Sequence, residues 1–386
     1  PLPANTTSYT VTGLQPSTSY DLRVAARNAA GASYSETATA STGTVWSSWT
    51  YRRRVEVSGV GTPLSDFQVL VTVDTASLIS AGKMRPDGGD IRFVAQDMST
   101  ELPYWIEDGL NTSATRIWVR VPFIPASGTA TVYMLYGKPD ATSTANGDAT
   151  FEFFDDFSAG LGKWETAISV SENNSAWAFQ VSPGYNVPYT SGGYLTFDGV
   201  RSGIDSAYED GRLSGWWGRA VRTSAAISPG AFVVEMRSLF NYAASGSYAN
   251  DFCSSAVGVG QDKDNWVVGY HCSQPQSDPN SPPGVVISWE KAGTRSWVPT
   301  SNLPVQLNVF RRVTLTFVNG GTITYSVDGT QVIASPALTL SVRKVYVTFY
   351  HRAPGASVLQ KVDYLFVRKY ATQDPAAGVG AEEPVP

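Results

Sequence analysis

Val313-Thr314-Leu315-Thr316-Phe317-Val318-Asn319-Gly320-Gly321-Thr322-Ile323-Thr324-Tyr325-Ser326-Val327-Asp328-Gly329 decides the fold class of this chain. Val313, Leu315 and Phe317 fall at every second position, with Thr314 and Thr316 between them. That is the period of a strand with one buried face. Asn319-Gly320-Gly321 turns the chain, the alternation resumes at Ile323, Tyr325 and Val327, and Asp328-Gly329 turns it again into Val332. Asn-Gly and Asp-Gly supply the positive φ that tight hairpins need, so the segment is an antiparallel meander. Two further strands are expected over 344–350 and 361–369.

The composition agrees with that reading along the whole chain. Of 386 residues, 35 are Gly, 11 Trp and 19 Tyr, while the charged fraction is only 16%. Val, Thr, Tyr and Trp favour half-buried pleated surfaces and Gly favours turns, so an all-β protein of tandem β-sandwiches is expected. The length allows two or three domains, each with its own core. The net charge is −5. A phosphate-backbone partner calls for a basic stripe. The only basic run, Arg52-Arg53-Arg54, lies on a strand pattern and reads as a solvated face, so no nucleic-acid partner is expected. No apolar run is long enough to span a bilayer, so no membrane insertion is expected either.

Three units follow one another. In residues 1–44, Tyr20, Leu22, Val24 and Ala26 alternate with Asp21, Arg23 and Arg27. With Leu14, Pro16 and Tyr20, this segment resembles the second half of a fibronectin type III domain, including its tyrosine corner. Half a sandwich cannot bury its apolar face. Either the segment is truncated or another chain completes it, which would allow self-assembly through the incomplete N-terminal sandwich.

Residues 45–150 carry Trp49-Thr50-Tyr51-Arg52-Arg53, Asp87-Gly88-Gly89-Asp90-Ile91-Arg92-Phe93, Leu102-Pro103-Tyr104-Trp105-Ile106-Glu107, Ile117-Trp118-Val119-Arg120-Val121-Pro122 and Tyr133-Met134-Leu135-Tyr136-Gly137. Phe153-Phe154-Asp155-Asp156-Phe157 follows them. In that order these residues resemble the domain-of-unknown-function 2341 family, whose members sit beside concanavalin-A-like lectin domains in large surface or secreted proteins. The resemblance implies an extracellular, cell-surface or virion-surface setting and assigns no reaction. Trp105 is expected to be structural packing and Glu107 a strand-face charge.

Residues 151–371 contain the meander and end in Val362-Asp363-Tyr364-Leu365-Phe366-Val367-Arg368, which resembles the closing strand of a concanavalin-A-like jelly roll. The Ala/Gly/Glu/Pro stretch 372–386 reads as linker or disordered tail. Cys253 and Cys272, with eighteen residues between them, fall on segments that could be neighbouring strands. In an extracellular protein they suggest a disulfide, and the alternative is two buried thiols.

The chemistry is mostly defined by what is missing. Two histidines exclude a multi-histidine metal site. There is no Gly-x-Ser-x-Gly and no phosphate loop. Hydrolases of the resembled fold carry alternating carboxylates on one strand. Here Val233-Val234-Glu235-Met236-Arg237 and Ile287-Ser288-Trp289-Glu290-Lys291 carry one each, so an enzyme is not expected. The resemblance implies a structural calcium ion near Asp155 and Asp363, where the first and last jelly-roll strands would lie side by side. The alternative is an aspartate that caps a turn and an exposed edge residue.

Trp216, Trp217, Trp266, Tyr270 and Trp297, with Asp264 nearby, are the candidates for a carbohydrate-binding platform. Sugar rings stack their C–H faces on indole while polar neighbours take the hydroxyls. The competing reading is that these rings fill the core. The expected function is non-catalytic binding of a polysaccharide or glycoprotein glycan. The alternatives are a structural subunit of a filament or viral fibre, or an accessory region of a polysaccharide-degrading enzyme.

Overall fold

The structure is a computed structural model. It describes residues 11, 14, 18–41, 45–166, 188–200, 217–228, 230–243, 252–262, 265–273, 284–292, 294–301, 305–351 and 357–386. Among these, the chain is antiparallel β-sheet with short helices at Thr75–Ser80 and Gly147–Thr150. It divides into two compact units. One is Pro1–Thr150 with Gln373–Pro386, and the other is Phe151–Thr372.

The first unit begins with two small ribbons. Ser19–Leu22 pairs with Ala38–Ser41, and Ala25–Asn28 pairs with Gly31–Tyr34. The alternation across Tyr20 to Ala26 is therefore interrupted at Arg23 and Val24. Val24 is 72% exposed and Tyr34 52%, so burial does not hold these residues in one continuous strand.

After the ribbons comes a two-sheet sandwich. One sheet runs in the order Ala377–Pro384, Tyr51–Ser58, Thr129–Tyr136, Arg92–Ala95, Glu101–Leu102. The other runs Leu64–Val73, Thr115–Ile124, Tyr104–Asp108. Val55, Val57, Val69, Val71, Ile117, Val119 and Met134 are buried, each at an alternating strand position. The Tyr104 ring packs on Phe93, and its hydroxyl donates to the Ile91 carbonyl.

The expectation of a linker or disordered tail at 372–386 is corrected here. Ala377–Pro384 is a strand at the edge of the first sheet, paired antiparallel with Tyr51–Ser58. Its composition hides this because an edge strand is held largely by main-chain hydrogen bonds, for which every residue has an acceptor and only proline lacks the donor.

The second unit is a jelly roll of two sheets. The larger runs Tyr189–Ser191, Tyr194–Val200, Ser357–Lys369, Ala231–Ala243, Arg311–Val318, Ile323–Val327, Thr330–Ser335, with Phe153–Asp155 also paired to Ser357–Lys369. The smaller runs Trp164–Glu165, Trp217–Thr223, Lys344–His351, Phe252–Asp262, Asn265–Ser273, Gly284–Lys291, Thr294–Ser301. The meander forms in the expected register, with Val313 opposite Val327 and Leu315 opposite Tyr325. Its second turn has Asp328 and Gly329 at positive φ.

Leu195, Phe197, Met236, Val313, Leu315, Phe317 and Tyr325 meet Val221, Val257, Val267, Ile287 and Val347 in one core. The two sheets come close at Gly269. A Cβ there would lie 2.0 Å from the Tyr325 ring, so only glycine fits under it.

Candidate functional site

Two members of the sequence-derived platform are buried. Trp266 is 4% exposed and Tyr270 7%. Both point away from the core-facing Val267, yet solvent does not reach them, nor does it reach Val268, Ser288, Tyr346 and Thr348 on the same face. The local reason at Trp266 is its cross-strand partner Gly260. A Cβ at Gly260 would stand 3.0 Å from both the Trp266 Cβ and the Tyr346 ring, so its absence lets those side chains close over the strand. These two residues are therefore packing groups, which corrects the expectation of free-standing rings.

Trp216 and Asp264 lie outside the described residues. Trp217 stands opposite His351, and Trp297 opposite Ser288, on strands of the smaller sheet.

Asp155 and Asp363 do sit on neighbouring strands, where Asp155 is opposite Leu365. Their carboxylates are turned to different tasks. Asp155 is buried, accepting from the Trp164 indole N–H at 2.7 Å and from the Phe157 amide at 2.7 Å. The second bond closes a turn in which Phe157 takes φ 58°. Burial pushes the Asp155 pKa up, while those two donors pull against the rise. Asp363 pairs with Arg237 at 2.5 Å. Among the described residues, no three His, Cys, Asp or Glu side chains are grouped as a metal site. Asp155 and Asp363 each have a donor in place, an arrangement that does not favour a shared calcium ion.

A different face brings aromatic and polar groups together. In the larger sheet, Leu195, Phe197, Val358 and Val362 point into the core. Alternation therefore sends Tyr194, Asp198 and Lys361 to the outside. Tyr194 stacks with Phe310 at 5.7 Å between centroids and 25° between planes. The Arg237 guanidinium lies over Phe310 at 4.7 Å, and the Lys361 ammonium over Tyr194 at 5.2 Å. Asp363 holds Arg237 in place. At one end, the 39% exposed Tyr189 donates its hydroxyl to Asp198 at 2.6 Å. Tyr194, Phe310, Arg237, Lys361 and Asp363 are each half-exposed.

The result is a rigid, partly wetted aromatic pair with N–H donors and carboxylate acceptors within a few residues. Arg237 faces Asp363, and Tyr189 faces Asp198, so each of these two carboxylates beside the rings has a donor. Sequence reasoning missed Tyr194, Phe310, Arg237 and Lys361. The outward phase of Tyr194 was readable from Leu195 and Phe197, but Phe310 precedes its strand and carries no periodic signal.

In the first unit, Glu107 departs from the expected strand-face charge. Its side chain is fully buried and accepts from the Arg116 guanidinium at 2.9 Å and the Trp118 indole at 2.8 Å. A bulge between Arg116 and Ile117 makes room for it. Trp49 is also built in. Its indole donates to the Asp90 carbonyl, and the Arg92 and Lys138 cations lie over its ring.

The architecture defines a multidomain all-β protein. Residues 87–167 match the family described as Domain of unknown function (DUF2341), and residues 1–42 match the Fibronectin type III domain family. No curated protein matches the chain. Solved structures with similar strand arrangement include one reported under "Prominent members of the human gut microbiota express endo-acting O-glycanases to initiate mucin breakdown". It has 12% identity and a TM-score of 0.39, covering 57% of this chain and 100% of that one. A kappa-carrageenase from Zobellia galactanivorans has 12% identity and a TM-score of 0.37, covering 57% and 94%. A Bacillus licheniformis beta-glucanase has 11% identity and a TM-score of 0.36, covering 57% and 98%.

Proposed function

We propose that the Phe151–Thr372 unit is a non-catalytic glycan-binding domain of a secreted, cell-surface or virion-surface protein, and that it binds through the outer face of its larger sheet. The observation that carries this is the half-exposed Tyr194–Phe310 stack, fixed on a two-sheet scaffold beside Arg237, Lys361, Asp363, Asp198 and Tyr189. Pyranose rings place apolar C–H groups on aromatic faces, and the surrounding charged groups take their hydroxyls. The Lys361 ammonium sits on a flexible four-carbon stem and can swing from the Tyr194 face to meet a hydroxyl.

The carboxylates on this face support the non-catalytic reading: Asp363 pairs with Arg237 and Asp198 accepts from Tyr189, whereas hydrolysis uses an acid and a second carboxylate a set distance apart. A glycan array probed with the intact chain, followed by an assay for released reducing ends on every hit, tests the proposal. Binding without release is the expected result. Release of reducing ends would replace it with an enzyme.

A further inference from the structure

The strand at Ala377–Pro384 has a recognition chemistry of its own. Its register with the Tyr51–Ser58 edge puts Val379 opposite Val55, Glu382 opposite Arg53 and Glu383 opposite Arg52. Main-chain bonds clamp its ends: the Ser58 amide donates to the Ala376 carbonyl, and the Val385 amide to the Thr50 carbonyl. Between them two adjacent carboxylates are read by separate partners. Glu382 accepts from the Lys83 ammonium at 2.5 Å and from the Tyr136 hydroxyl at 2.9 Å. Glu383 accepts from the Arg52 guanidinium at 2.9–3.0 Å. Tyr136 is fully buried, and Arg53 donates to its hydroxyl, so the Tyr136 oxygen is a fixed relay at the floor of the slot.

The strand itself brings little apolar surface. Gly378, Gly380, Ala381 and Pro384 are exposed, and no residue from 377 to 384 is fully buried. A segment held by edge hydrogen bonds and partly wet ion pairs belongs to the low-stability end of a fold and opens first. When it opens, it leaves an unpaired strand edge with a Lys–Tyr–Arg row that selects two consecutive acids. Edge strands of that kind take up an extended peptide by β-augmentation.

We propose that the Tyr51–Ser58 edge is a strand-acceptor site for an acidic strand, and that its partner in trans is the Ala377–Pro384 segment of a second copy of this chain. Every contact made within one chain is available to the exchanged pair, so exchange adds no new chemistry and depends on protein concentration. The partner is chosen by charge complementarity and by the segment already seated in the slot.

The test uses two full-length variants. One reverses the slot with Arg52→Glu and Lys83→Glu, and the other reverses the strand with Glu382→Lys and Glu383→Lys. Each alone carries mismatched charges, but a mixture can satisfy both slots by reciprocal exchange. Native mass spectrometry of the equimolar mixture is expected to show heterodimers, with each variant monomeric alone. A mixture that stays monomeric overturns the proposal.

A fluorescent peptide of residues 374–386 gives a second readout. It is expected to bind the strand-reversed chain and to bind the slot-reversed chain at least about tenfold more weakly. Should the strand-reversed chain fail to fold, the Glu382→Gln, Glu383→Gln chain takes its place in the peptide assay. Equal peptide binding to both chains, or none to either, also overturns the proposal.

Discussion

Tyr325 and Tyr194 are tyrosines of the same sheet, each on a strand one in from an edge, yet the fold asks different things of them. Tyr325 is fully buried against Gly269, and burial drives its pKa well above 10.0. Truncating it to alanine removes a core ring, so a loss of about 3–5 kcal/mol in denaturant unfolding is expected. Tyr194→Ala and Phe310→Ala remove half-exposed rings and should each cost less than about 1.5 kcal/mol while lowering glycan affinity. Gly269→Ala adds a methyl group where the Tyr325 ring already lies. A loss of roughly 1–3 kcal/mol is expected, with the melting temperature as readout.

Calcium is also a question at this scale. Asp155 is occupied by Trp164 and Phe157, and Asp363 by Arg237. A chelator should therefore leave the melting temperature unchanged, and a drop on chelation would contradict that assignment. The phase of Tyr194 could be read from its apolar neighbours. The burial of Trp266 and Tyr270 could not, because it depends on how neighbouring strands pack beside them, as the bare Gly260 does beside Trp266, and strand periodicity reports only which face a residue occupies.

Among the elements, the Ala377–Pro384 strand is expected to respond to pH. The Lys83 ammonium hydrogen-bonded to Glu382 holds its carboxyl below its usual value of 4.5, and burial opposes that only in part. A carboxylate whose folded pKa is lowered contributes stability above its unfolded pKa and loses it as pH falls through the folded value. Amide-exchange protection of residues 377–383 should therefore fall below pH 4.5, ahead of the Thr129–Tyr136 strand at the sheet centre. Lys83→Ala should weaken that pH dependence.

The cysteines belong to this scale as well. Cys253 and Cys272 are direct cross-strand partners. Opposed Cα atoms in an antiparallel pair lie about 4.5–5.5 Å apart, inside the range a disulfide spans. Mass measurement of the alkylated chain, with and without reductant, should show a disulfide that forms in oxidising conditions. Two alkylated thiols without reductant would contradict it.

Over the whole molecule, the jelly-roll meander was legible because Val313, Leu315 and Phe317 answer Ile323, Tyr325 and Val327 across Asn-Gly and Asp-Gly turns, so every local signal agrees with the final register. The strand after the jelly roll was not legible. Ala377–Pro384 lacks an apolar period, and what holds it is the far-off Tyr51–Ser58 edge with Arg52, Lys83 and Tyr136. The first unit therefore draws its edge strand from beyond residue 372, and the jelly roll sits between the two parts of that unit in sequence. The first and last strands of the jelly roll pair with each other, Phe153–Asp155 against Leu365–Val367, so its two ends leave it side by side. No helix among the described residues is long and apolar enough to cross a membrane.

The most direct measurement is calorimetric titration of the best array glycan into the intact chain and into the Tyr194→Ala, Phe310→Ala double variant, with thermal unfolding followed on both. Saturable binding that the double variant loses, with its unfolding transition kept, is the predicted result. Undiminished binding by the double variant would contradict the assignment of that face.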